Sequence, residues 1–252
     1  MKHCIVIPFY NEVNRFQPNS FLHFLEKHPE VELCCVDDGS SDNTLESLVK
    51  FQKNNPGQIH ILPLQKNEGK GNAVRKGILW ALDKYYDQFA FMDADLSTPF
   101  EESWRLSQQL NPTTYFVFGS RIKKIDNTIE RKWYRFLIGR LMATLISKML
   151  CLPVYDTQCG CKWFDRKFAA VAFADPFLSQ WLFDVEIFFR LKNYFGEMVF
   201  KKAALESPLL YWKDEGDSRI APSYALKVWK DLFLINRTYK NFTHEVQSKS
   251  LL

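Results

Sequence analysis

The sequence contains no long apolar run. Its 252 residues include no stretch that approaches the roughly 20 apolar residues a helix needs to cross a bilayer. Residues 1–8 lead directly into a strand-like run, which leaves no room for a signal peptide. We therefore expect a cytoplasmic protein that crosses no membrane, and binding to a membrane surface stays open.

Cysteine is present but too irregularly placed for a disulfide framework or a zinc site. Two pairs of cysteines are adjacent or one residue apart, and the C-x-x-C spacing does not occur. The six cysteines are Cys4, Cys34, Cys35, Cys151, Cys159 and Cys161. We expect reduced thiols, as in the cytosol.

Neither sign of charge dominates the composition. The chain has 33 lysines and arginines against 29 acidic residues, a formal net charge of +4. With 46% hydrophobic residues, this balance excludes a disordered chain and favours one large core. The small positive excess suits an anionic partner, and a solvated surface rich in lysine is an equally good interpretation. We expect no nucleic-acid partner.

Short apolar runs alternate with helical patterns in the first half. The apolar runs cover residues 4–7, 33–36, 59–64, 89–92 and 115–118, and polar residues follow most of them. Helices are predicted over residues 21–28, 44–53, 72–85 and 101–110. The alternation predicts an α/β fold with a mostly parallel sheet flanked by helices. In such sheets, ligands bind beyond the carboxyl ends of the strands.

The second half has longer helical patterns. Helices are predicted over residues 132–152, 181–194 and 224–239, with a strand pair between residues 198 and 211. The first of these is very apolar and is preceded by many basic residues, which favours an interfacial helix near anionic headgroups. A core helix with a basic rim fits the same pattern. We predict one domain over residues 1–240 and a flexible tail over 241–252.

Two adjacent carboxylates, Asp37 and Asp38, follow the second apolar run. A turn with a helix cap explains the Gly39-Ser40 that comes next. It does not explain two like charges side by side, which repel unless a cation or a hydrogen-bond donor meets them. The N–H of a nucleobase is one such donor.

Asp93 and Asp95 follow the fourth apolar run. Residues two apart in extended chain project to the same side. Two carboxylates so placed can hold a hard divalent cation, Mg²⁺ or Mn²⁺, against a diphosphate. The cation would neutralise charge on the departing diphosphate. A solvated turn before Pro99 is the alternative.

Glycines surround Lys70, just before a predicted helix. Glycine permits close backbone approach, and a helix amino terminus with a lysine suits a phosphate. The segment lacks the P-loop spacing, so it does not support kinase or ATPase chemistry. An ordinary loop is the alternative.

Taken in this order, the segments resemble those of family-two glycosyltransferases, which have the Rossmann-like GT-A fold. Residues 5–12, I-V-I-P-F-Y-N-E, look like that family's first strand and nucleotide-contacting loop. Within the family, the likeness is closest to the dolichyl-phosphate β-glucosyltransferases and covers about residues 4–235. The segments that carry it are residues 69–77, 119–121, 156–160 with Lys162, and 184–186.

The resemblance implies a set of residues for a nucleotide-sugar donor and its Mg²⁺ or Mn²⁺ ion. The residues are Pro8, Tyr10, Glu12, Asp37 or Asp38, Lys70, Asp93 and Asp95. Asp93 and Asp95 would serve the metal, and Asp95 would also take part in the chemistry. The chain departs from the pattern at Ser97, where relatives that use mannose often place a glutamine ligand.

The resemblance also implies inverting transfer of a hexose, glucose from UDP-glucose, to a polyprenyl phosphate at the cytosolic membrane face. A phosphate needs no general base, since its second pKa is about 6. It needs cationic clamps, and the planar fork of arginine suits phosphate oxygens. Arg121, Arg131 and Arg135 match positions where lipid-phosphate transferases carry arginines.

Two alternative functions would use the same residues to bind the nucleotide sugar. A transferase that acts on a sugar or protein hydroxyl needs a base, for which Asp184 and Glu186 are the candidates. A non-catalytic module that only binds nucleotide sugars would keep the fold without turnover.

Overall fold

A seven-stranded sheet forms the centre of the protein. The computed structural model describes residues 1–130, 132–214 and 224–249, and the side chains of residues 135, 224–226 and 241–249 lie outside this description. The elements of the first half are β1 (His3–Phe9), α1 (Pro18–Lys27), β2 (Val31–Asp37), α2 (Thr44–Asn54), β3 (Ile59–Pro63), α3 (Lys70–Leu82), β4 (Gln88–Met92), α4 (Phe100–Ser107), β5 (Phe116–Ser120) and β6 (Thr128–Glu130). Those of the second half are α5 (Trp133–Leu150), β7 (Cys161–Asp165), α6 (Arg166–Ala172), α7 (Phe183–Phe195), α8 (Glu197–Ala203), β8 (Ala204–Pro208), β9 (Tyr211–Lys213) and α9 (Tyr224–Lys249).

The strand order in the sheet is β3-β2-β1-β4-β7-β5-β8. Strands β3, β2, β1 and β4 pair in parallel, as do β5 and β8, whereas β7 is antiparallel to both of its neighbours. The predicted mostly parallel α/β sheet is therefore confirmed. All five strands predicted in the first half are present, with small shifts at their ends.

Both faces of the sheet are covered by helices. Val6 and Phe91 lie in one buried cluster with side chains of α3, α6 and α7. Ile5 and Ala90 lie in the other, with side chains of α1, α2 and α4. Because neither face meets water, these strands read as unbroken apolar runs rather than as alternating patterns. The strands of the first half could therefore be predicted from the sequence.

The prediction of a strand pair between residues 198 and 211 is wrong. Residues 197–203 form α8, β8 joins the main sheet beside β5, and β9 pairs in parallel with β6 in a separate two-stranded sheet. Strand β7 was not predicted. Its five residues include Lys162, which is fully buried, and a lysine inside a central strand breaks the apolar pattern that strand prediction depends on.

Helix α5 divides into a buried half and an exposed half. Ile146 and Leu150 are fully buried in the core near its carboxyl end. Toward its amino end, the exposed apolar side chains are Trp133, Tyr134, Phe136, Leu137, Ile138 and Leu141. The interpretation as a core helix is therefore confirmed for the carboxyl half, and the interfacial role of the exposed half stays a prediction. Within the described ranges, no helix is long and apolar enough to span a bilayer.

Helix α9 is longer than predicted. The sequence pattern ended it at residue 239, but the helix continues to Lys249. It thus takes in most of the segment 241–252 that the sequence predicts to be a flexible tail. The helix packs against α7, with Leu232 and Ile235 buried.

Candidate active site

The carboxyl ends of β1, β2 and β4 meet at one edge of the sheet, since these strands are parallel neighbours. Hydrogen bonds join the loops that follow β1 and β2. Asn11 N–H donates to Ser40 Oγ (3.0 Å), and Asn11 Oδ1 accepts from Ser41 N–H (2.8 Å). Asn11 has a φ of 52°, a left-handed conformation in which asparagine is enriched. The two loops therefore form one continuous surface.

The residues predicted to line the nucleotide lie along this surface. Pro8 is near the end of β1, and Tyr10 follows the strand with its side chain partly exposed. Glu12 forms an ion pair with Arg15: its carboxylate accepts from Arg15 Nε (2.7 Å) and Nη2 (2.6 Å). Its N–H donates to Thr44 Oγ1 (2.8 Å), which ties the β1 loop to the start of α2.

Asp37 and Asp38 are both buried but have different surroundings. Asp38 accepts from the backbone N–H groups of Glu68 (2.8 Å) and Gly69 (2.9 Å), so its two oxygens hold the loop before α3. Burial raises the pKa of Asp38. Asp37 Oδ2 accepts from Ser40 N–H (3.2 Å), while Oδ1 is buried with no partner within the described residues. Asp37 is therefore the better candidate for a ligand contact.

Asp93 and Asp95 lie directly beyond the end of β4. The Lys70 ammonium contacts Asp93 Oδ1, and the carboxylates of Asp93 and Asp184 raise the pKa of Lys70 despite its burial. Asp95 Oδ1 accepts from Ser97 N–H (3.0 Å). Burial, and then the charge of Asp93, raise the pKa of Asp95. Ser97 thus supports the position of the Asp95 carboxylate.

The site has two carboxylates, those of Asp93 and Asp95, that could bind a cation. In the part of the chain that the structure describes, no group of three or more histidine, cysteine, aspartate or glutamate side chains is arranged to hold a metal. Mg²⁺ is commonly held by one or two carboxylates, with phosphate and water oxygens completing its shell. Asp93 and Asp95 therefore fit a cation that arrives with a diphosphate.

Gly160 packs directly onto Asp93. A Cβ atom at Gly160 would lie 2.1 Å from Asp93 Oδ2 and 2.5 Å from its carboxyl carbon. A side chain at this position would displace the Asp93 carboxylate. The loop 156–160 therefore forms one wall around Asp93, and glycine is needed there for space rather than for a special φ.

Arg121 forms a bidentate ion pair with Asp156. Its Nε (2.7 Å) and Nη2 (2.9 Å) donate to the two carboxylate oxygens, and its N–H also donates to Asp156 (3.1 Å). The pair is largely buried, and the guanidinium lowers the pKa of Asp156 to about 2 against the cost of burial. Glu206 accepts from the N–H groups of Tyr155 and Asp156, which fixes the start of the loop.

A small cavity lies between α5 and this loop. Arg121, Arg140 and Thr157 are among its lining residues. Arg140 Nη1 donates to the Tyr155 carbonyl (2.9 Å), and its guanidinium lies 3.5 Å from the centre of the Tyr155 ring. Thr157 is 2% exposed, and its hydroxyl has no partner within the described ranges. The cavity thus combines the Arg121–Asp156 ion pair, the Arg140 guanidinium and a buried hydroxyl.

Asp184 lies in a buried ion pair. Lys162 Nζ donates to Asp184 Oδ1 (2.5 Å) and to the Cys159 carbonyl (2.6 Å). Lys162 is 0% exposed and Asp184 is 4% exposed. A base must come within hydrogen-bond reach of its proton, and a carboxylate held by an internal lysine is badly placed for that. The geometry therefore gives Asp184 a positioning role.

Glu186 is likewise occupied by internal contacts. It accepts from the N–H groups of Leu178 (3.0 Å) and Ser179 (2.9 Å) and from the hydroxyl of Tyr239 (3.0 Å). It joins the loop before α7 to helix α9. Neither of the two candidate bases is thus free to reach a substrate hydroxyl.

A family model described as Glycosyl transferase family 2 matches residues 4–172. The chain belongs to glycosyl transferase family 2. It is 29% identical over 252 residues to the human dolichyl-phosphate β-glucosyltransferase, covering 93% of this chain and 75% of the relative. It is 32% identical over 259 residues to the same enzyme of Saccharomyces cerevisiae, with 93% and 74% covered.

The fold of this family 2 glycosyltransferase also matches solved structures. Glucosyl-3-phosphoglycerate synthase from Mycobacterium tuberculosis, in complex with Mn²⁺, UDP and phosphoglyceric acid, has a TM-score of 0.63 at 15% identity, covering 93% of this chain and 78% of that one. Mannosyl-3-phosphoglycerate synthase from Rubrobacter xylanophilus has a TM-score of 0.63 at 15% identity, covering 100% and 76%. These matches confirm the predicted GT-A fold.

The site of this glycosyltransferase brings together most of the residues predicted for it. Arg131 is an exception, because it lies outside the described residues. Arg135 lies in the first turn of α5, and its side chain is also outside them. The roles predicted for both arginines stay predictions.

Several residues that shape the site of this glycosyltransferase were missed. Gly160, Glu206 and Arg140 were given no role, because each acts through a contact distant in sequence. Lys162 carried a usable signal: a lysine between apolar residues needs a buried carboxylate. That requirement points to an acidic partner in the core, which is Asp184.

Proposed function

We propose that this glycosyltransferase transfers glucose, with inversion, from UDP-glucose to a polyprenyl phosphate on the cytosolic face of a membrane. One observation carries the proposal. The exposed apolar half of α5 leads to the cavity that holds Arg121 and Arg140, and the loop 156–160 runs from that cavity to Asp93. A lipid-borne phosphate needs an apolar approach, a cationic end point and a donor within reach. The names of the curated relatives support the same reaction.

The nucleotide-sugar donor would bind at the carboxyl ends of the parallel strands. Asp37 offers one buried carboxylate oxygen without a partner, which suits an N–H of the base. Lys70 begins α3, where the positive end of the helix dipole favours the diphosphate. Asp93 and Asp95 would hold a Mg²⁺ or Mn²⁺ ion, which, when bound, would neutralise charge on the departing diphosphate.

The acceptor half needs positioning rather than a base. A phosphate monoester is largely dianionic near pH 7, so one of its oxygens can attack the anomeric carbon directly. The new carbon–oxygen bond forms as the bond to the diphosphate breaks, and UDP leaves with that electron pair. Arg140 and the Thr157 hydroxyl would hold the phosphate in line, with Arg121, Arg131 and Arg135 as further cationic groups.

A membrane surface is the natural source of such an acceptor. Helix α5 exposes aromatic and aliphatic side chains that a water-soluble surface would not require. Helix α9 exposes Trp229, Phe233 and Leu234 next to basic residues such as Lys230 and Arg237. Apolar side chains flanked by basic ones bind anionic headgroups and the outer part of the acyl region. The enzyme would then act at the membrane surface.

A transfer assay with two matched lipids tests the proposal. Purified protein, Mg²⁺ and UDP-glucose with a radiolabelled sugar are incubated with a polyprenyl phosphate or with the corresponding polyprenol. Label is expected in the organic phase with the phosphate only, since the alcohol would need a base. GDP-mannose serves as the competing donor.

Each failure of this assay has a distinct meaning. Transfer to the polyprenol would replace the phosphate acceptor with a hydroxyl acceptor. A preference for GDP-mannose would overturn the choice of sugar and nucleotide. Binding of UDP-glucose without transfer to either lipid would favour a non-catalytic nucleotide-sugar-binding module.

A further inference from the structure

Lys70 lies beside the two carboxylates, Asp93 and Asp95, that are proposed to hold the metal ion. It is the first residue of α3, and its ammonium contacts Asp93 Oδ1. Its other electrostatic partners are Asp184 and Asp95. The Lys70 ammonium therefore already neutralises part of the negative charge of the two carboxylates that are proposed to hold the metal ion.

The position of Lys70 is fixed by the packing of its neighbours. Gly69 and Gly71 flank it, and a Cβ atom at Gly71 would lie 2.8 Å from Phe183 Cβ. Gly71 N–H also donates to the Gln180 carbonyl (3.2 Å). The Lys70 ammonium lies 6.0 Å from the centre of the Phe183 ring. Since the backbone on both sides is held, the ammonium can change partners only by rotation of its own side chain.

A divalent cation and this ammonium compete for Asp93. Like charges close together repel strongly in a partly buried site, where water screens them little. Either the ion binds weakly or Lys70 leaves Asp93. A diphosphate at the amino terminus of α3 offers Lys70 a new anionic partner. Its arrival would free Asp93 for the ion at the moment when the ion has phosphate oxygens to bind.

We propose that Lys70 makes metal binding conditional on the donor, because its ammonium holds Asp93 in the free enzyme and transfers to the diphosphate when the nucleotide sugar binds. The inference rests on the proposed function, since it assumes a divalent ion at Asp93 and Asp95. It adds a specific order: ion and nucleotide each bind poorly alone and well together. By linkage, each raises the affinity of the other by the same factor.

Substitution of Lys70 separates its two partners. In Lys70→Met, Mn²⁺ alone should bind about tenfold tighter, because the competing cation is gone. In the presence of EDTA, UDP should bind about tenfold weaker, because the diphosphate has lost its cationic partner. Uridine, which has no phosphates, should bind wild type and variant equally. The gain in Mn²⁺ affinity produced by UDP should be smaller in the variant.

The measurements are titration of free Mn²⁺ by electron paramagnetic resonance and calorimetry of UDP and uridine. Lys76→Met is the matched control, since Lys76 lies on the same helix but pairs with Glu68. Lys70→Gln repeats the test with a polar side chain, and thermal unfolding establishes that each variant is folded.

The outcomes distinguish this inference from the function on which it rests. Loss of Mn²⁺ binding in Asp95→Asn would support the metal site. If Mn²⁺ then binds Lys70→Met no tighter than it binds Lys76→Met, the role of Lys70 is overturned and the metal site stands. If UDP affinity in EDTA is unchanged in Lys70→Met, the transfer to the diphosphate is overturned. If wild type binds no Mn²⁺ even with UDP, the metal site itself is wrong.

Discussion

Gly160 and Asp93 are 67 residues apart in sequence, yet the backbone of Gly160 lies against the Asp93 carboxylate, where a Cβ would lie 2.1 Å from Oδ2. The atom in the way is the end of a side chain rather than backbone. A methyl group at this position would therefore be accommodated by displacement of Asp93, with little cost to the fold. The consequence should appear in activity.

Gly160→Ala should lower kcat/KM by about 100-fold, because a shift of about 1 Å in a positioning carboxylate is enough for that loss. The free energy of unfolding should change little. Gly57→Ala is the control, since a Cβ at Gly57 would meet no atom within 4 Å. Urea denaturation and transfer kinetics are measured on both. A large loss of stability with intact activity in the folded fraction would contradict this prediction.

Asp37 and Asp38 should separate into a binding residue and a structural residue. Asp37→Asn should weaken UDP binding about tenfold or more with little change in stability, since Oδ1 has no internal partner within the described residues. Asp38→Asn should lower the free energy of unfolding by about 1–3 kcal/mol, because it disrupts the bonds to Glu68 and Gly69. Calorimetry and urea denaturation report the two effects. A reversed pattern would exchange the two roles.

The Arg121–Asp156 pair should make stability depend on acid pH. The folded pKa of Asp156, about 2, lies below its ordinary value of 3.8. A lowered folded pKa stabilises the protein above about pH 4, and this contribution is lost as the pH falls toward 2. The difference of nearly two pKa units corresponds to roughly 2 kcal/mol.

Asp156→Asn should therefore have a lower free energy of unfolding than wild type at pH 6. The difference between the two free energies should become smaller between about pH 4 and pH 2. The exposed Asp126, whose side chain is 66% accessible, provides the control substitution Asp126→Asn. Urea denaturation at several pH values gives the comparison. A gap that stays constant over this range would show that charge on Asp156 is not the source of its contribution.

Vesicle binding should depend on the exposed half of α5. Leu141 is 67% exposed, and Leu141→Gln should weaken binding to anionic vesicles about tenfold through lost apolar burial. Tyr85→Gln provides a matched loss of an exposed apolar side chain, 97% accessible, near the amino end of β4. Salt should release the wild type, because it screens exposed charges. If co-sedimentation shows equal vesicle binding by both variants, the exposed half of α5 is not the membrane-binding surface.

Arginine substitutions should affect the lipid acceptor but not the donor. Arg131→Ala, Arg135→Ala and Arg140→Gln should each raise the KM for polyprenyl phosphate about tenfold, as expected for the loss of a charged hydrogen bond. UDP affinity should stay at the wild-type value in calorimetry. Arg131→Lys should recover only part of the loss, because lysine restores the charge without the planar fork. Unchanged lipid kinetics in all these variants would contradict the assignment of these arginines to the phosphate acceptor.

The first half of the fold was predictable because its strands are buried on both faces. Residues 33–36, for example, are followed by Asp37 and Asp38 and then by a helical pattern, which favours a strand that ends at the carboxylates. The parallel sheet then brings Asp37 and Asp93 to one edge without further assumptions. Their proximity follows from topology alone.

The second half was less predictable because its contacts are distant in sequence. Strand β7 contains Lys162, whose partner Asp184 is on a helix 22 residues away, so no local pattern accounts for it. The pairing of β8 with β5, rather than with β9, depends on packing around α7 and α8. Arg140 had no predicted role, because its bond to the Tyr155 carbonyl depends on how the following loop folds.

The reversed direction of β7 has a consequence for how the enzyme is assembled. Cys161, its first residue, pairs with Met92, the last residue of β4. A parallel strand in this place would begin at the opposite edge of the sheet, and the segment before it would lie a whole strand length from Asp93. Because this one strand runs the other way, the chain leaves Arg121 and α5 and enters the sheet beside Asp93 and Asp95. A single inversion of strand polarity therefore joins the proposed entrance for the lipid to the proposed pocket for the sugar nucleotide.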